Sequence, residues 1–247
     1  MSSTEVESVV VTDREPERAA LVVRSLGPAA VAAEWGPRIL DGAAVLVVAA
    51  PVAVGSHSLI SGAVGLDVVE EALNRGVAVV SVADGMAEVE ALVRLDPLAR
   101  AAGVSLVIGA AMAPGLTDVL ARHAAAQFEA VEEIHVAKAG TGGPACARQH
   151  HRALGAEALD WRDGAWVRRA GGSGRELCWF PDPVGGRDCY RAAVADAVLL
   201  TPAFPGVQRV TARVAATRRD RITAALPMLR RPHPEGEVGA VRVEVRG

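Results

Sequence analysis

Lysine and tyrosine are almost absent from this chain of 247 residues, which has one lysine, Lys138, and one tyrosine, Tyr190. Arginine therefore supplies nearly all of the positive charge, which suits bidentate contacts to carboxylate or phosphate groups. The net charge of −3 argues against a general nucleic-acid binder, because such a protein needs a dominant basic face. We therefore expect no nucleic-acid partner.

Cysteine is also scarce, and the three cysteines are Cys146, Cys178 and Cys189. An odd number without close spacing indicates reduced thiols, as is typical of a cytoplasmic protein. No cysteine or histidine spacing is typical of a zinc site, so no metal is predicted. The acidic, polar start MSSTEVESVV does not look like a secretory signal, and the apolar run Ala43–Val54 is too short to cross a bilayer. We therefore expect no membrane partner.

The first half of the chain alternates strand-like runs with helical patterns. Strands are predicted at Glu7–Thr12, Ala44–Ala50, Val77–Val82 and Val104–Ile108, and helices at Pro16–Leu26, Asp67–Arg75, Met86–Ala102 and Gly115–Phe128. Continuous apolar runs are typical of strands that are covered on both faces. This order predicts an α/β fold with a doubly wound, mainly parallel sheet and right-handed crossovers.

The second half has short strand-like segments separated by glycine and proline. The predicted strands are Val131–Ala139, Trp166–Arg169, Glu176–Phe180, Ala197–Leu200 and Gln208–Ala215, with a strand-like VRVEVR near the end. We therefore expect a second, α+β domain with a mixed or antiparallel sheet. The predicted boundaries are residues 1–128 for the first domain, 129–231 for the second, and 232–247 for a C-terminal strand segment.

The residues after the four predicted strands of the first half form an ordered series. It consists of Thr12-Asp13-Arg14, Ala49-Ala50-Pro51, Ser81-Val82-Ala83-Asp84 and Gly109-Ala110-Ala111-Met112-Ala113-Pro114-Gly115. With LDPLARAAG ahead of VSLVIGAAMAPGL, this series resembles the Rossmann half of the saccharopine dehydrogenase-like NAD(P)-binding family. The second half, with its Gly140–Pro144 loop, resembles the substrate and dimerisation domain of an actinobacterial-type branch.

The resemblance implies an NAD(P)-dependent oxidoreductase, active as a homodimer, that transfers hydride at a C–N bond of an amino-acid-derived substrate. It implies cofactor-binding roles for Asp13, Arg14, Ala49, Ala50, Pro51, Asp84, Met112 and Pro114. Asp13 would accept hydrogen bonds from the adenine ribose, and Arg14 beside it leaves the choice between NAD and NADP open. In the structural alternative, Asp13 and Asp84 cap helices and Met112 fills the core.

The candidate catalytic residues are His150, His151 and Tyr190. Histidine titrates near neutral pH, and the two histidines follow the Gly140–Pro144 loop, from which they can reach a cleft between the domains. The phenol of Tyr190 can donate a hydrogen bond to a substrate. The competing hypothesis places both histidines on a polar helix face and Tyr190 in the packing of the second domain.

The chain departs from the family pattern at its start. Family members begin with a strand and a Gly-x-Gly-x-x-Gly turn that holds the pyrophosphate at a helix N-terminus. The first glycine here is Gly27, so we expect a sheet without its first, central strand and a gap between the Glu7–Thr12 and Ala44–Ala50 strands. Either these strands close up, another chain fills the gap, or the reading frame starts upstream. The missing turn also suits a non-catalytic dimeric scaffold or small-ligand binder.

Overall fold

The computed structural model describes residues 6–36, 38–50, 52–53, 64–228 and 238–247. The helices are α1 (Pro16–Leu26), α2 (Leu66–Asn74), α3 (Met86–Val93), α4 (Asp96–Ala102), α5 (Leu116–Ala125), α6 (Pro144–Gly155), α7 (Asp196–Ala203) and α8 (Arg218–Thr223). The strands are β1 (Val9–Val11), β2 (Ala30–Ala32), β3 (Val45–Val48), β4 (Val52–Ala53), β5 (Val64–Gly65), β6 (Ala78–Ser81), β7 (Leu106–Ile108), β8 (Glu133–Ala139), β9 (Ala158–Arg162), β10 (Ala165–Arg169), β11 (Glu176–Trp179), β12 (Gly186–Arg191), β13 (Arg209–Ala215) and β14 (Ala240–Arg246). None of the described helices is long and apolar enough to cross a membrane.

The first half contains parallel strands in separate sheets. Strands β3, β6 and β7 form a three-stranded parallel sheet in that order, and β1 forms a parallel pair with β2. Within the described residues β1 pairs only with β2, and β3 pairs only with β6. The predicted Rossmann-like, mainly parallel arrangement is therefore confirmed, and in the described part of the chain β1 and β3 do not pair with each other.

One face of the three-stranded sheet is packed against helices. Leu46, Val48 and Val79 point to this face, where they join a core with Val69 and Leu73 of α2 and with further apolar side chains of the same half. The alternating pleat sends Val45, Val47 and Val80 to the opposite face. The core of the first half thus lies on one side of its sheet.

The second half is built on a seven-stranded mixed sheet around β13. One edge of β13 pairs in parallel with β8, and its other edge pairs antiparallel with β9 and then with β12. Strands β10 and β11 extend the sheet from β9 and β12, and β14 pairs antiparallel with β8. Helices α5, α6 and α7 supply apolar side chains to the core on one face of this sheet. The predicted second α+β unit is confirmed.

Two predicted elements are wrong. The predicted helix Met86–Ala102 is two helices, α3 and α4, because Pro97 has no N–H to donate to the carbonyl of Val93 four residues earlier, and its ring clashes with that carbonyl. The predicted strand Ala197–Leu200 lies inside helix α7. A short buried apolar run has no periodicity that separates helix from strand, so the pattern was ambiguous there.

The two halves share packing across the predicted boundary at residue 128. Ala121 and Ala125 of α5 belong to the core of the second half, whereas Ala195, next to α7, belongs to the core of the first half. The pairing of β14 with β8 joins residues 240–246 to the second sheet. The domain boundaries themselves stay a prediction.

Candidate functional site

Lys138 lies where the chain segments after β6 and β7 meet the carboxyl end of β8. Its Nζ donates a hydrogen bond to the carbonyl oxygen of Ala113 at 3.5 Å and lies 3.9 Å from a carboxylate oxygen of Asp84. Asp84 follows β6 and Ala113 follows β7, so the carboxyl ends of these strands face one ammonium group. Ligands bind at this edge in open parallel sheets, which makes it the candidate site.

Asp84 is a partly buried carboxylate at this edge. Burial raises the pKa of Asp84, and the nearby Lys138 ammonium opposes that rise without cancelling it. The N-cap of the next helix, α3, is Gly85, and no side chain caps it. Asp84 therefore does not have the capping role that was the structural alternative, and its carboxyl group is suited to hold a proton.

Two more aspartates, Asp118 and Asp196, lie in the first turns of α5 and α7. Asp196 is 1% exposed, and its Oδ1 accepts a hydrogen bond from Thr117 Oγ1 at 2.7 Å. Burial raises the pKa of Asp196, although the Thr117 hydrogen bond and Lys138 oppose the rise. Burial and the charge of Asp196 raise the pKa of Asp118 to about 7. The Lys138 ammonium therefore acts on Asp84 and Asp196, and Asp196 in turn acts on Asp118.

His150 is the only one of the three catalytic candidates that the structure brings to this region. Burial, followed by the charge of Lys138, lowers the pKa of His150 to about 4, so the imidazole is neutral at physiological pH. Its Nδ1 is buried and has no hydrogen-bond partner among the described residues. We refer to Lys138, Asp84, Thr117, Asp118, His150 and Asp196 as the Lys138 cluster.

His151 and Tyr190 lie elsewhere. His151 Nε2 is 2.9 Å from the carbonyl oxygen of Leu226, next to α8. Tyr190 is 1% exposed in the core of the second half, and the Arg221 guanidinium lies over its ring at 5.6 Å from the centroid. Tyr190 therefore packs in the second half, as the competing hypothesis had it. No described contact places His151 or Tyr190 in the Lys138 cluster.

The predicted adenosine-binding residues lie at the carboxyl end of β1. Asp13 and Arg14 are exposed, and Asp13 Oδ1 accepts a hydrogen bond from the backbone N–H of Glu15 at 2.8 Å. Glu15 is the N-cap residue of α1, so Asp13 supports the start of that helix from two residues away. Asp13 Oδ2 has no described hydrogen bond, so this oxygen can accept a hydrogen bond from a ribose.

The predicted nicotinamide-side residues follow β3 and β7. Ala49 is exposed and Ala50 is partly buried, whereas Pro51 lies outside the described residues. Pro114 is buried in a tight loop, in which a Cβ on Gly115 would lie 2.2 Å from the carbonyl oxygen of Gly109. Gly115 has a φ of +128°, which glycine adopts readily. This loop also places the Ala113 carbonyl next to Lys138.

The structural alternative placed Met112 in the core, but its side chain is not fully buried. It is partly buried, and a Cβ on Gly239 would lie 3.0 Å from its sulfur atom. Gly239 immediately precedes β14. Met112 therefore lies between the loop after β7 and the start of the last strand.

Sequence reasoning found Asp84 and His150 but missed the other members of the Lys138 cluster. The usable signal for Lys138 was its uniqueness in a chain whose other basic residues are arginine and histidine. Asp118 and Asp196 each lie in the first turn of a helix, where an acidic residue is ordinary. Their burial depends on contact between the two halves, which local sequence does not encode.

The described residues fit only part of a nicotinamide dinucleotide. Asp13 suits the adenosine end, and the small Ala49 and Ala50 suit the other end. The described residues contain no glycine turn between a central strand and a helix, which is what holds a pyrophosphate in a Rossmann fold. They also contain no cluster of three or more histidine, cysteine or carboxylate groups that could hold a metal.

Comparison with known proteins gives a likeness in structure only. No protein-family model and no curated protein sequence matches the chain. The apo histidine-tagged saccharopine dehydrogenase (L-Glu forming) from Saccharomyces cerevisiae superposes with a TM-score of 0.60 and 16% identity, over 88% of this chain and 51% of that one. GenD2 from gentamicin A biosynthesis, in complex with NAD, gives a TM-score of 0.45 and 17% identity, over 97% of this chain and 62% of that one.

The chain thus spans about half the length of the saccharopine dehydrogenase that it matches. At this identity the likeness concerns the fold and not the activity. A Rossmann-like unit with a parallel sheet, followed by a second unit with its own sheet, is what the sequence resemblance implied. The chain therefore has a saccharopine dehydrogenase-like fold.

Proposed function

We propose that this chain is an NAD(P)-dependent oxidoreductase that acts on a C–N bond of an amino-acid-derived substrate. The observation that carries the proposal is the Lys138 cluster, which lies at the carboxyl ends of β6 and β7. A sheet of this type binds its ligands at that edge. The solved structure that shares the fold is a saccharopine dehydrogenase, which makes this class of reaction the first to test.

The charges of the Lys138 cluster suit a substrate with both amine and carboxylate groups. The ammonium of Lys138 can hold a substrate carboxylate, while Asp84 can accept or return a proton at the substrate nitrogen, since its pKa is raised by burial. The neutral imidazole of His150 can act as a hydrogen-bond donor or acceptor without adding charge. In this proposal His150 is retained as a catalytic candidate, and His151 and Tyr190 are not.

The cofactor, the domain division and the assembly belong to the same proposal. Asp13 and Arg14 would bind the adenosine end of NAD or NADP, and Ala49, Ala50, Met112 and Pro114 the nicotinamide end, with residues 1–128 forming the dinucleotide-binding domain. A homodimer through the second half is supported by edge strand β11, on which Leu177 and Trp179 are exposed.

The test is ligand-induced thermal stabilisation by NADH and by NADPH at millimolar concentration. A ligand that binds only the folded state raises the melting temperature, so we expect a rise with at least one cofactor. Asp13→Ala should weaken that binding by roughly 1–2 kcal/mol, because a hydrogen-bond acceptor is lost. Equal binding by the wild type and the variant would show that Asp13 serves only the start of α1.

The second candidate is a non-catalytic dimeric scaffold or small-ligand binder with the same fold. It is favoured by one observation, that the described residues do not supply the pyrophosphate-binding turn. It predicts no change in melting temperature with either cofactor. A cofactor-dependent rise that Asp13→Ala reduces would eliminate it.

A further inference from the structure

Two buried thiols lie side by side at the edge of the mixed sheet, on strands β11 and β12. The strands are antiparallel, and their register places Cys189 opposite Glu176 and Cys178 opposite Arg187. Glu176 and Cys178 are two residues apart on β11, so both point to the same face of the sheet as Cys189. Cys178 and Cys189 are therefore diagonal neighbours on one face, where they are 2% and 0% exposed.

This face of the sheet is the one that points away from helices α5, α6 and α7. Ile134 and Val136 of β8 join the core with those helices, whereas Ala137 and Ala139 of the same strand join a small separate cluster. Both thiols belong to that small cluster, together with Phe180 and Val184. The pair is thus enclosed by apolar side chains rather than placed in the Lys138 cluster.

The two thiols are not equivalent. A hydrogen bond from the Cys189 thiol lowers the pKa of Cys178, and this effect outweighs burial and the charge of Glu176, which raise it. The Arg242 guanidinium of β14 also favours the Cys178 thiolate. The same hydrogen bond and burial raise the pKa of Cys189. Cys178 is therefore the thiol that ionises first, and the thiolate is the nucleophilic form of cysteine.

We propose that Cys178 and Cys189 form a reversible oxidation site for a peroxide, in which Cys178 attacks the peroxide and Cys189 closes a disulfide with it. Two thiols on adjacent strands, in contact and on one face, are the arrangement that this chemistry needs. The proposal does not depend on the proposed oxidoreductase activity, because no cofactor takes part.

The reaction has two steps. The Cys178 thiolate attacks one oxygen of hydrogen peroxide, the O–O bond breaks, and the other oxygen takes up the thiol proton and leaves as water. Cys178 is then a sulfenic acid. The Cys189 sulfur attacks the Cys178 sulfur, the S–O bond breaks, and the hydroxyl leaves as a second water with the Cys189 proton. The two thiols are oxidised to a disulfide and the peroxide is reduced to water, and a dithiol reductant reverses the change.

The position of β11 allows the movement that the disulfide requires. Diagonal neighbours across two strands are roughly 7–8 Å apart, whereas the Cα atoms of a disulfide are roughly 4.4–6.8 Å apart. The bridge therefore needs a small shift of β11 toward β12. Strand β11 has four residues and, within the described part of the chain, pairs only with β12. A short edge strand opens locally at low cost, which also admits a small uncharged peroxide to the buried thiol.

Cys146 supplies a comparison within the same chain. It is exposed on α6, a helix that packs on the other face of the mixed sheet. If exposure alone controlled oxidation, Cys146 would react before the two buried thiols. The proposed site predicts the opposite order.

The test treats the reduced full chain with equimolar hydrogen peroxide, then unfolds it, alkylates the remaining thiols and maps them by mass spectrometry. We expect the alkylatable thiols to fall from three to one, with Cys146 alkylated and Cys178 joined to Cys189. Dithiothreitol should restore all three. Oxidation of Cys146 alone, or three alkylatable thiols after treatment, would overturn the proposal.

Serine variants test the order of the two steps. Cys189→Ser keeps a hydroxyl that can donate to Cys178 but cannot close the bridge, so a sulfenic acid at Cys178 should accumulate and be trapped by dimedone. Cys178→Ser should leave Cys189 unoxidised, and Cys146→Ser, the control, should form the disulfide as the wild type does. Dimedone trapping at Cys189 in Cys178→Ser, with none at Cys178 in Cys189→Ser, would contradict the assigned roles. The wild-type map decides the existence of the site even if a variant fails to fold.

Discussion

Burial raises the pKa of Asp84, Asp118 and Asp196, and the Lys138 ammonium opposes this rise only at Asp84 and Asp196. Thr117 donates to Asp196, but Asp118 Oδ1 is buried and has no hydrogen-bond partner within the described part of the chain. Burial of a carboxylate without full compensation raises its pKa, so these groups tend to hold protons in the folded state. Protonation of the Lys138 cluster is therefore linked to stability.

The first prediction concerns Asp118. Its pKa of about 7 in the folded state lies above the ordinary value of about 4, so the folded protein binds the extra proton between these pH values. Stability contributed by this group therefore falls as pH rises from about 4 to about 7. Asp118→Asn removes the effect, and its free energy of unfolding should improve relative to wild type by about 1–3 kcal/mol between pH 4.5 and pH 8.

Urea unfolding at several pH values measures this difference. His150 acts in the opposite direction, because its pKa is lowered to about 4 and the unfolded chain takes up the proton first. Its contribution is common to wild type and variant and cancels in the comparison. Glu129→Gln, at an exposed carboxyl, is the control and should follow wild type. Parallel curves for Asp118→Asn and wild type would contradict the burial of the Asp118 charge.

The second prediction concerns Lys138. Lys138→Met leaves Asp84 and Asp196 without their nearby cation and should lower the free energy of unfolding by about 1–3 kcal/mol at pH 7. Adding Asp84→Asn should recover part of that loss, which a double-mutant cycle measures as a coupling energy. Arg24→Met, at an exposed position of α1, should have little effect. A coupling energy of zero would show that Lys138 and Asp84 do not stabilise each other in the folded protein.

Helices α5 and α7 are joined at their first turns by one hydrogen bond between side chains 79 residues apart. Thr117 belongs to α5 and follows the loop after β7, whereas Asp196 begins α7 in the second half of the sequence. Both side chains are buried. This contact holds the two helices together behind Lys138.

The third prediction tests this contact. Thr117→Val keeps the side-chain shape but removes the donor to a buried carboxylate, so it should cost about 1–3 kcal/mol in free energy of unfolding. Thr201→Val is the matched control, because the Thr201 hydroxyl donates only to the Ala197 carbonyl of its own helix. Equal losses in the two variants, measured by urea unfolding, would contradict a special role for the Thr117–Asp196 bond.

Local sequence patterns predicted helices and strands well where proline or glycine marked their ends. Helix Pro16–Leu26 has the predicted bounds, because Pro16 lies in its first turn and Gly27 follows its end. Strands β2, β4, β5, β9 and β12 and helices α6 and α8 were not among the predicted elements, since most are short or weakly patterned and α6 entered only as a possible polar face for the two histidines. The strand predicted at Ala197–Leu200 failed because its apolar run is set by contact with both cores rather than by a period.

The candidate site was predictable only in part, because some of its residues come together only through tertiary contacts. The order of the strand ends gave Asp84 and the loop with Pro114, because the carboxyl ends of parallel strands share one edge. Tyr190 was a poor candidate because its burial comes from long-range packing, which its neighbours in sequence do not reveal. Lys138 comes from the second half and reaches the edge of the first sheet through the tertiary fold.

At the scale of the whole molecule, the parallel sheet and the mixed sheet meet at the Lys138 cluster. Asp84 and Ala113 follow β6 and β7 of the parallel sheet, and Lys138 belongs to β8 of the mixed sheet. In the proposed function, a dinucleotide lies along the carboxyl ends of the parallel strands, from Asp13 to this cluster.

Isothermal titration of NADH and NADPH into the protein tests the proposed dinucleotide cleft at these strand ends most directly. We expect at least one cofactor to bind, and Asp13→Ala to weaken that binding by roughly 1–2 kcal/mol because a hydrogen-bond acceptor for the ribose is lost. Glu129→Gln, at an exposed carboxyl group outside the site, should bind as the wild type does. No binding of either cofactor would contradict a dinucleotide cleft at these strand ends.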